Sequence, residues 1–427
     1  MSFSTLGLHM SLLETLSRIG YAEPTAVQRA AIPAVIGGTD LLVSSETGSG
    51  KTAAFMLPGL QRLLAGPSAR EPRSLGPRSL GPRVLVLAPT RELALQVQKA
   101  THDYGAGQRL RTACLVGGMP YGLQLEQLAK PVDVVVATPG RLKDHLARGR
   151  VDLSRVELLV LDEADRMLDM GFQEDIDAIV ARTPGTRQTL LFSATLDGVV
   201  GRLARRVTRD PQRIDVAPST AHESKIEQSA LFADDLAHKS RLLDALLRDT
   251  DLKQALVFTA TKRSAEALSG SLVRQGIASG SLHGDMRQRE RNQTLQLLRN
   301  GRMRVLVATD VAARGIDVPG ISHVINFDAP RQAEDYVHRI GRTGRAGRGG
   351  IAVTFLHHGE GHLMRAIERF TGAPIRVTVI PGMEPVARPA HPRPNANGAR
   401  PWERRGEWKA GGRPAHHKQK YRRSGSA

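Results

Sequence analysis

Short, continuous apolar runs recur along this chain at helix-length intervals. In the first half they are LLVSS at Leu41, VLVLA at Val84, ACLVG at Ala113, DVVVAT at Asp133, ELLVL at Glu157 and TLLFS at Thr189. In the second half they are ALVFT at Ala255, GSLHG at Gly280, RVLVAT at Arg304, HVINF at His323 and IAVTF at Ile351. Such runs are typical of strands buried on both faces of a parallel sheet. Two series of strands alternating with helices predict two α/β domains.

Changes in composition mark the domain boundaries. The chain has 427 residues, more than one average domain holds, and 41% of them are hydrophobic, which is enough for two cores. A polar, Pro-containing stretch separates the two series of strands, and Pro, Gly, Arg and His replace the apolar pattern near the end. We predict domain 1 at 1–216, a linker at 217–227, domain 2 at 228–375 and a disordered basic tail at 376–427. The repeat RSLGPRSLGPR at 73–83 is predicted to be a surface loop.

The charge of the chain is concentrated in its tail. Sixty Lys and Arg residues against 42 Asp and Glu give a net charge of +18. From Pro385 to the end there are 11 Lys or Arg and 2 acids, so this tail carries half of the excess. Both tryptophans, Trp402 and Trp408, also fall there. A basic arm with aromatic residues predicts contacts with nucleic acid phosphates and bases.

The cysteine content and the hydropathy of the chain indicate its cellular compartment. Cys114 is the only cysteine, which excludes an intramolecular disulfide and a cysteine-rich zinc site. No run approaches the roughly 20 apolar residues that a membrane span needs. We therefore expect a cytoplasmic protein without membrane contact.

A glycine-rich loop, SETGSGKT from Ser45 to Thr52, stands between a predicted strand and the helix-like TAAFMLPGLQRLL. Glycines let backbone N–H groups close around phosphates, Lys51 supplies a cation for the outer phosphates, and the Thr52 hydroxyl suits Mg²⁺. The loop predicts a nucleoside triphosphate site.

Three acids in DEAD, residues 162–165, follow the apolar run VELLVL. Asp162 could simply cap the helix that follows. However, the carboxyl ends of strands are where open α/β sheets bind ligands. Beside a phosphate loop, Asp162 is expected to hold Mg²⁺ through its water shell, and Glu163 to orient or deprotonate the attacking water.

The second domain carries a basic motif, HRIGRTGRAGR at 338–348. Arg339, Arg342 and Arg345 recur every three residues, so on a helical turn they are expected to lie toward one side. After domain closure they would act as arginine fingers at the γ-phosphate, worth about 10³ to 10⁵ in rate. The alternative is a solvated basic stretch that binds RNA phosphate.

These motifs resemble those of the DEAD-box RNA helicases of superfamily 2, in the order of that family, over about residues 3–356. The matching stretches are GYAEPTAVQ at Gly20, SETGSGKT at Ser45, PTRELA at Pro89, GG at Gly117, TPGR at Thr138, DEAD at Asp162, SAT at Ser193, ATDVAARGID at Ala308 and HRIGRTGR at His338. The resemblance implies an α/β fold of two RecA-like parallel-sheet domains in tandem, with ATP and Mg²⁺ as cofactors and RNA as partner. Ser45 and Glu46 stand where the family often has Ala and Gln, which is expected to cost little because backbone N–H groups hold the phosphates.

The resemblance also implies roles for single residues. The catalytic residues are Lys51, Glu163, Arg342 and Arg345, and the metal site is formed by Thr52 and Asp162. The ATP contacts are Phe3, Tyr21, Gln28, Thr47, Gly48, Ser49, Gly50, Lys51, Thr52 and Asp317. Coupling of hydrolysis to strand separation falls on Asp165, Ser193, Thr195 and His338. RNA-backbone contacts fall on Thr90, Arg91, Gly117, Gly118, Thr138, Arg141, Thr309 and Arg314.

Some of these roles have a chemical reason or a simpler alternative. A carboxamide such as that of Gln28 can bond both N6 and N7 of adenine, which favours ATP over GTP; the alternative is a surface helix position. Ser193 and Thr195 are expected to form bonds between Asp165 and His338 across the cleft, and Asp317 is expected to meet the ribose. For each residue assigned to RNA binding, the alternative role is to stabilise a local turn or to cap a helix.

The implied activity is ATP hydrolysis coupled to local, non-translocating unwinding of short RNA duplexes or remodelling of RNA–protein complexes. Backbone contacts would make RNA binding independent of sequence. The start MSFSTLGL and the short basic tail resemble the bacterial RhlE-like branch, which implies ribosomal particles or RNA-decay proteins as partners; a monomer is expected. Two alternatives are an ATP-driven DNA translocase and an ATP-gated RNA clamp or annealing chaperone.

Overall fold

Two parallel β-sheets, each surrounded by helices, make up the described part of the chain. The computed structural model describes residues 2–45, 49–65, 81–216, 226–313, 318, 320–344 and 349–386. All contacts discussed below lie within the compact unit Met1–Pro385. Within the described ranges, no helix combines the length and the apolar character needed to cross a bilayer.

The first sheet has seven strands in the order β3-β4-β2-β5-β6-β1-β7. Its strands are β1 Leu41–Ser44, β2 Val84–Leu87, β3 Thr112–Leu115, β4 Val134–Ala137, β5 Leu158–Leu161, β6 Gln188–Ser193 and β7 Gln212–Asp215. Its helices are α1 Met10–Arg18, α2 Ala26–Ile36, α3 Lys51–Ala65, α4 Arg91–Tyr104, α5 Tyr121–Leu128, α6 Pro139–Ala147, α7 Ala164–Asp169, α8 Gln173–Val180 and α9 Gly198–Val207. A 3-10 turn at Phe3–Leu6 precedes them. We call this unit the first domain.

The second sheet repeats this arrangement in the order β10-β11-β9-β12-β13-β8-β14. Its strands are β8 Ile226–Ala233, β9 Ala255–Phe258, β10 Ser279–Leu282, β11 Val305–Ala308, β12 His323–Asn326, β13 Gly350–His357 and β14 Arg376–Val377. Its described helices are α10 Leu236–Leu247, α11 Lys262–Arg274, α12 Gln288–Arg299, α13 Asp310–Ala313, α14 Ala333–Ile340 and α15 Gly361–Thr371. We call this unit the second domain.

The central strands are apolar throughout because helices cover both faces of each sheet. In β2, Val84 and Val86 belong to one core cluster, whereas Leu85 and Leu87 belong to a second cluster on the opposite face. All four side chains have no exposed surface. A parallel sheet covered in this way reads as a continuous apolar run rather than an alternating one, so the prediction of two α/β domains is confirmed.

All eleven strands predicted from apolar runs are present, and three further strands were missed. Two of these, β7 and β14, are edge strands, and three of the four residues in β7 are exposed. The third, β8, has the mixed sequence IEQSALFA. Strands β7 and β14 lack an apolar run because most of their side chains are exposed. Polar residues interrupt the apolar pattern of β8.

The strand positions refine the predicted boundaries. Strand β8 begins at Ile226, inside the predicted linker, and β14 lies inside the predicted tail. Ile380 and Met383 still pack against a core cluster of the second domain, because apolar side chains continue past the last helix. The domain ranges themselves stay a prediction. Most of the repeat at 73–83, the linker residues 217–225 and the tail residues 387–427 lie outside the described residues.

Candidate active site

The predicted phosphate loop, acids and SAT segment follow the carboxyl ends of adjacent strands. Strand β6 lies between β5 and β1 and pairs with both in parallel. The N–H of Ser45 donates to the Ser193 carbonyl at 3.1 Å, and the N–H of Asp162 donates to the Leu87 carbonyl at 2.9 Å. The sheet therefore gathers three sequence-distant motifs at one edge.

Lys51 opens helix α3, and its side chain reaches back to Ser45. Its Nζ donates to the Ser45 carbonyl at 3.1 Å, and its side chain is buried. Thr52 follows in the first turn of the same helix and is half-buried. A buried ammonium at a helix N-terminus is suited to phosphate oxygens. Ser49 and Gly50 are described, whereas Thr47 and Gly48 lie outside the described residues.

Asp162 presents a buried carboxylate oxygen that lacks a hydrogen-bond partner. Asp162 is 2% exposed, and its Oδ1 accepts no hydrogen bond. Burial raises the pKa of Asp162, and the nearby charge of Lys51 opposes this rise. Groups of three or more His, Cys, Asp or Glu residues that could hold a metal ion are absent from the described residues. An incoming cation with its own ligands would satisfy this oxygen.

Glu163 occupies a strained backbone conformation and a charged environment. Its φ of 54° and ψ of 55° are left-handed, which is uncommon for a residue with a side chain. Its Oε2 accepts a hydrogen bond from Nη1 of Arg166 at 2.6 Å. Burial alone would raise the pKa of Glu163, but the charges of Arg166, Lys51 and Arg342 outweigh it and hold this pKa below its usual range. Glu163 is therefore held as a carboxylate.

Asp165 connects the acids to the SAT segment. Its Oδ2 accepts a hydrogen bond from the Ala194 N–H at 2.9 Å, and its own N–H donates to Oγ of Ser193 at 3.3 Å. Asp165, Thr195 and His338 all line one cavity of about 410 Å³, to which both domains contribute. The structure thus brings the four predicted coupling residues together.

Gln28 is buried beside the phosphate loop, and not exposed on a helix surface. It is 2% exposed, its Oε1 accepts from the Thr25 N–H at 2.9 Å, and its Nε2 donates to the Gly50 carbonyl at 3.1 Å. Gly50 has a φ of 92°, and a Cβ there would lie 2.5 Å from Nε2 of Gln28. This close approach requires glycine, and it links the carboxamide of Gln28 to the loop.

Phe3 and Tyr21 belong to an aromatic cluster. Their ring centroids are 6.2 Å apart, and the Tyr21 ring meets Tyr104 edge-on at 5.7 Å. The hydroxyls of Tyr21 and Tyr104 are 2.9 Å apart, and burial raises the pKa of Tyr104. The cluster holds the segment that precedes Gln28.

The two described arginines of the predicted finger motif, Arg339 and Arg342, line one small cavity but have different surroundings. Helix α14 ends at Ile340, so Arg342 lies beyond it. Arg339 is buried inside the second domain, where Nε and Nη2 donate to Asp310 at 2.6 and 2.8 Å. Arg342 instead lies close enough to Glu163 to lower its pKa. The expectation that Arg339 acts at the γ-phosphate was wrong because Asp310 of its own domain holds its guanidinium. Arg345 lies outside the described residues.

The predicted RNA contacts also follow strand ends. Thr90 comes after β2, Gly117 and Gly118 after β3, Thr138 after β4 and Thr309 after β11. Thr90 does cap helix α4, since its Oγ1 accepts from the Leu93 N–H at 3.3 Å. Thr138 makes no such side-chain cap at α6. Arg314 and the ribose contact Asp317 lie outside the described residues.

Two predicted RNA-binding arginines are held by the loops around them. The guanidinium of Arg91 lies against Gly118, where a Cβ would be 2.0 Å from Nη1. The same Nη1 donates to Oε1 of Gln288 in the second domain at 2.7 Å. Arg141 donates to the Met119 carbonyl at 3.3 Å. The basic groups therefore lie along the strand ends of the first domain, beside the second domain.

Comparisons with known proteins agree with this geometry. Residues 25–203 match the DEAD/DEAH box helicase family, and residues 238–347 match the helicase conserved C-terminal domain. ATP-dependent RNA helicase SrmB of Escherichia coli K12 is 44% identical over 390 residues, which are 91% of this chain and 86% of SrmB. The chain belongs to the DEAD-box ATP-dependent RNA helicases. The helicase also shares 44% identity over 384 residues with E. coli DeaD, covering 90% of the chain and 59% of DeaD.

Solved structures of the family show the same fold. S. cerevisiae Dbp5 bound to RNA and ADP BeF3 matches with a TM-score of 0.77 and 31% identity, covering 88% of this chain and 95% of that chain. Mss116p bound to ssRNA and AMP-PNP matches with a TM-score of 0.77 and 28% identity, covering 88% of this chain and 78% of the Mss116p chain. The helicase therefore has two RecA-like domains in tandem, as predicted. The RhlE-like assignment stays a prediction.

Sequence reasoning missed four residues that the structure places at the site. They are Glu92, Arg166, Gln288 and Arg291. Glu92 lies within PTRELA and Arg166 directly follows DEAD, but only their burial and partners distinguish them from solvated charges. Gln288 and Arg291 lie on helix α12, and no local pattern indicates their contacts with the first domain.

Proposed function

We propose that this chain is an ATP-dependent RNA helicase that hydrolyses ATP to ADP and phosphate while it locally unwinds short RNA duplexes or remodels RNA–protein complexes. The observation that carries the proposal is that charged residues of both domains surround the Glu163 carboxylate. Glu163 of the first domain lies within the electrostatic reach of Arg342 of the second. The charge of Lys51 also lowers the pKa of Glu163. A triphosphate at this position would be contacted from both domains.

The charged residues divide the hydrolytic chemistry among them. Lys51 neutralises the outer phosphates, and Glu163 orients the attacking water and accepts its proton. Arg342, with Arg345, stabilises the charge of the transferring phosphoryl group.

The residues at the loop fit Mg²⁺ brought in by the nucleotide. Asp162 offers one buried oxygen without a partner, and Thr52 offers a hydroxyl. Mg²⁺ prefers few protein ligands together with water and phosphate oxygens, so one carboxylate is sufficient. When bound, the ion supplies positive charge that offsets the phosphates.

The nucleotide base and ribose are held at the edge of the same loop. The carboxamide of Gln28, now bonded to Thr25 and Gly50, would exchange these partners for adenine N6 and N7. Phe3 and Tyr21 supply aromatic surface, and Asp317 meets the ribose. The loop residues Thr47, Gly48, Ser49 and Gly50 bind phosphate through backbone N–H groups.

RNA binding uses the strand ends of both domains. Backbone contacts from Thr90, Arg91, Gly117, Gly118, Thr138, Arg141, Thr309 and Arg314 would hold RNA without reading its sequence. Asp165, Ser193, Thr195 and His338 couple hydrolysis to the position of the second domain. The RNA-bound state of Dbp5 supports RNA as the ligand of this fold. We place the protein in the cytoplasm as a monomer that acts on ribosomal particles or with RNA-decay proteins.

Steady-state ATPase and duplex-separation assays test this function. Lys51→Ala and Glu163→Gln are expected to lower RNA-stimulated turnover by at least about 10²-fold, because each removes a group that acts on the reacting phosphate. The exposed variant Arg206→Met is the control and should retain wild-type turnover. Unchanged turnover in both site variants would refute the assigned site. Equal stimulation by RNA and DNA would favour a DNA translocase, and ATPase without duplex separation would favour an RNA clamp or annealing chaperone.

A further inference from the structure

Arg166 is a fully buried arginine that contacts the proposed general base. Its Nη1 lies 2.6 Å from Oε2 of Glu163, and the two side chains are only 2% and 9% exposed. The residues are three positions apart at the start of helix α7. A short, buried, charge-assisted hydrogen bond of this kind fixes both distance and orientation. One oxygen of the Glu163 carboxylate is thereby committed to Arg166.

The rest of the Arg166 guanidinium has unsatisfied donors. Nε and Nη2 are both buried and have no hydrogen-bond partner. A buried donor without an acceptor destabilises the folded state, whereas an apolar side chain of similar length would not have this effect. The ion pair with Glu163 therefore accounts for one donor of Arg166 and leaves the other two without a structural role.

Arg166 also borders the space between the two domains. It lines the cavity of about 410 Å³ together with Thr195, Asp335 and His338. It lines a second, small cavity together with Asp310, Asp335 and Arg342. The same guanidinium thus contacts the catalytic carboxylate of the first domain and faces carboxylates of the second.

The backbone conformation of Glu163 leaves the position of its carboxylate to the contact with Arg166. The left-handed conformation fixes where the Glu163 side chain leaves the chain, but it does not fix the carboxylate at the far end. Arg166 is the described residue that forms a hydrogen bond with that carboxylate. Without the hydrogen bond from Arg166, the Glu163 side chain would gain rotamers that do not face the nucleotide.

We propose that Arg166 is a positioning residue that couples the second domain to the catalytic carboxylate, an inference that rests on the function proposed above. Nη1 holds Oε2 of Glu163, which leaves Oε1 for the attacking water. When ATP and RNA draw the domains together, carboxylate oxygens of the second domain accept from the two remaining donors. Asp335 is the second-domain carboxylate that lines both cavities. RNA binding thereby fixes the position of the base.

The experiment compares RNA-stimulated and RNA-free ATP hydrolysis in the full chain. Arg166→Met keeps the length of the side chain and removes every donor. We expect its RNA-stimulated kcat to fall about 10- to 100-fold, while KM for ATP changes less than about threefold. Arg166→Lys retains the positive charge but carries all its donors on one nitrogen. We therefore expect it to recover part of kcat and little of the stimulation by RNA.

A second pair of variants separates positioning from a merely structural role. In a Glu163→Gln background, Arg166→Met should cause no further loss of hydrolysis, because Arg166 acts through Glu163. The control is Arg206→Met, which breaks an exposed pair with Asp177 at 3.0 Å, with both side chains more than 40% exposed. This control should retain wild-type kcat and stimulation.

The outcomes are distinguishable. An unchanged kcat in Arg166→Met, or an equal loss with and without the Glu163 carboxylate, overturns the proposal. If Arg166→Met does not fold, wild-type stimulation in Arg166→Lys overturns it instead. A wild-type chain whose hydrolysis RNA does not stimulate would refute the proposed function, and not only this inference.

Discussion

Glu92 and Arg291 form a salt bridge between the two domains although they are 199 positions apart. Nη2 of Arg291 lies 2.7 Å from Oε1 of Glu92, and the side chains are 10% and 12% exposed. Arg291 also donates to the carbonyls of His283 and Ala312 in its own domain. The second domain thus fixes the guanidinium, and Glu92 is its partner in the first. Because Glu92 lies in the first turn of helix α4, the pair connects helix α12 to the PTRELA segment.

Breaking this salt bridge is expected to impair domain closure. Removing one partner leaves a buried, unpaired charge, which costs about 3–5 kcal/mol. Glu92→Ala or Arg291→Ala should therefore lower RNA-stimulated kcat/KM about tenfold or more, and the double variant should be much less impaired than the product of the two single losses. The control is Arg213→Ala, which breaks an exposed pair with Asp215. Fully multiplicative losses would show that the pair does not act as a unit.

Gly118 is expected to control the position of Arg91. With a φ of 72° and Nη1 of Arg91 at 2.0 Å from an added Cβ, Gly118→Ala would displace the guanidinium and strain the backbone. RNA affinity, measured by fluorescence anisotropy, should fall about tenfold, while ATP binding without RNA is retained. Gly122→Ala in helix α5, where an added Cβ meets nothing within 4 Å, is the matched control. An equal effect of both substitutions would contradict the assignment.

Acid should weaken the fold through His145. Burial, reinforced by the charge of Arg141, lowers the pKa of His145 to about 4 from an ordinary value of 6.5. The unfolded state therefore binds a proton that the folded state rejects, so stability is lost as pH falls from about 6.5 toward about 4. Denaturant unfolding at pH 7.5 and 5 should show this loss in the wild type and a smaller one in His145→Gln. The exposed His102→Gln variant should retain the wild-type dependence, and an unchanged loss in His145→Gln would refute this origin.

Truncation after Pro385 should change the salt dependence of RNA binding. The residues removed carry 11 Lys or Arg and 2 acids, and each phosphate contact on a single strand contributes about −0.7 to the slope of log affinity against log salt. We expect weaker binding and a flatter slope. A full-length chain with the tail Lys and Arg residues changed to Gln should behave like the truncation. If the slope of the truncated chain matches that of the intact chain, the tail does not bind RNA phosphate.

The elements that could be predicted are those whose cause is local. The run Val84–Leu87 reads as a strand because each of its side chains is buried, whichever way it points. The phosphate loop and the acids at 162–165 could be placed at strand ends for the same reason. Strands β7 and β14 escaped prediction because they are edge strands with exposed residues, and the division of roles between Arg339 and Arg342 escaped it because the helix ends between them.

The sequence by itself determined the two series of strands, the chemistry of the phosphate loop and the acids, and the family. These depend on neighbouring residues, whose spacing along the chain is fixed by covalent geometry. Only the tertiary structure decided that Glu92 meets Arg291, that Arg166 holds Glu163, and that Arg339 turns inward to Asp310. Such pairs depend on how helices pack on the sheets and how the two domains meet, and a buried charge is indistinguishable from a solvated one until its partner is in place.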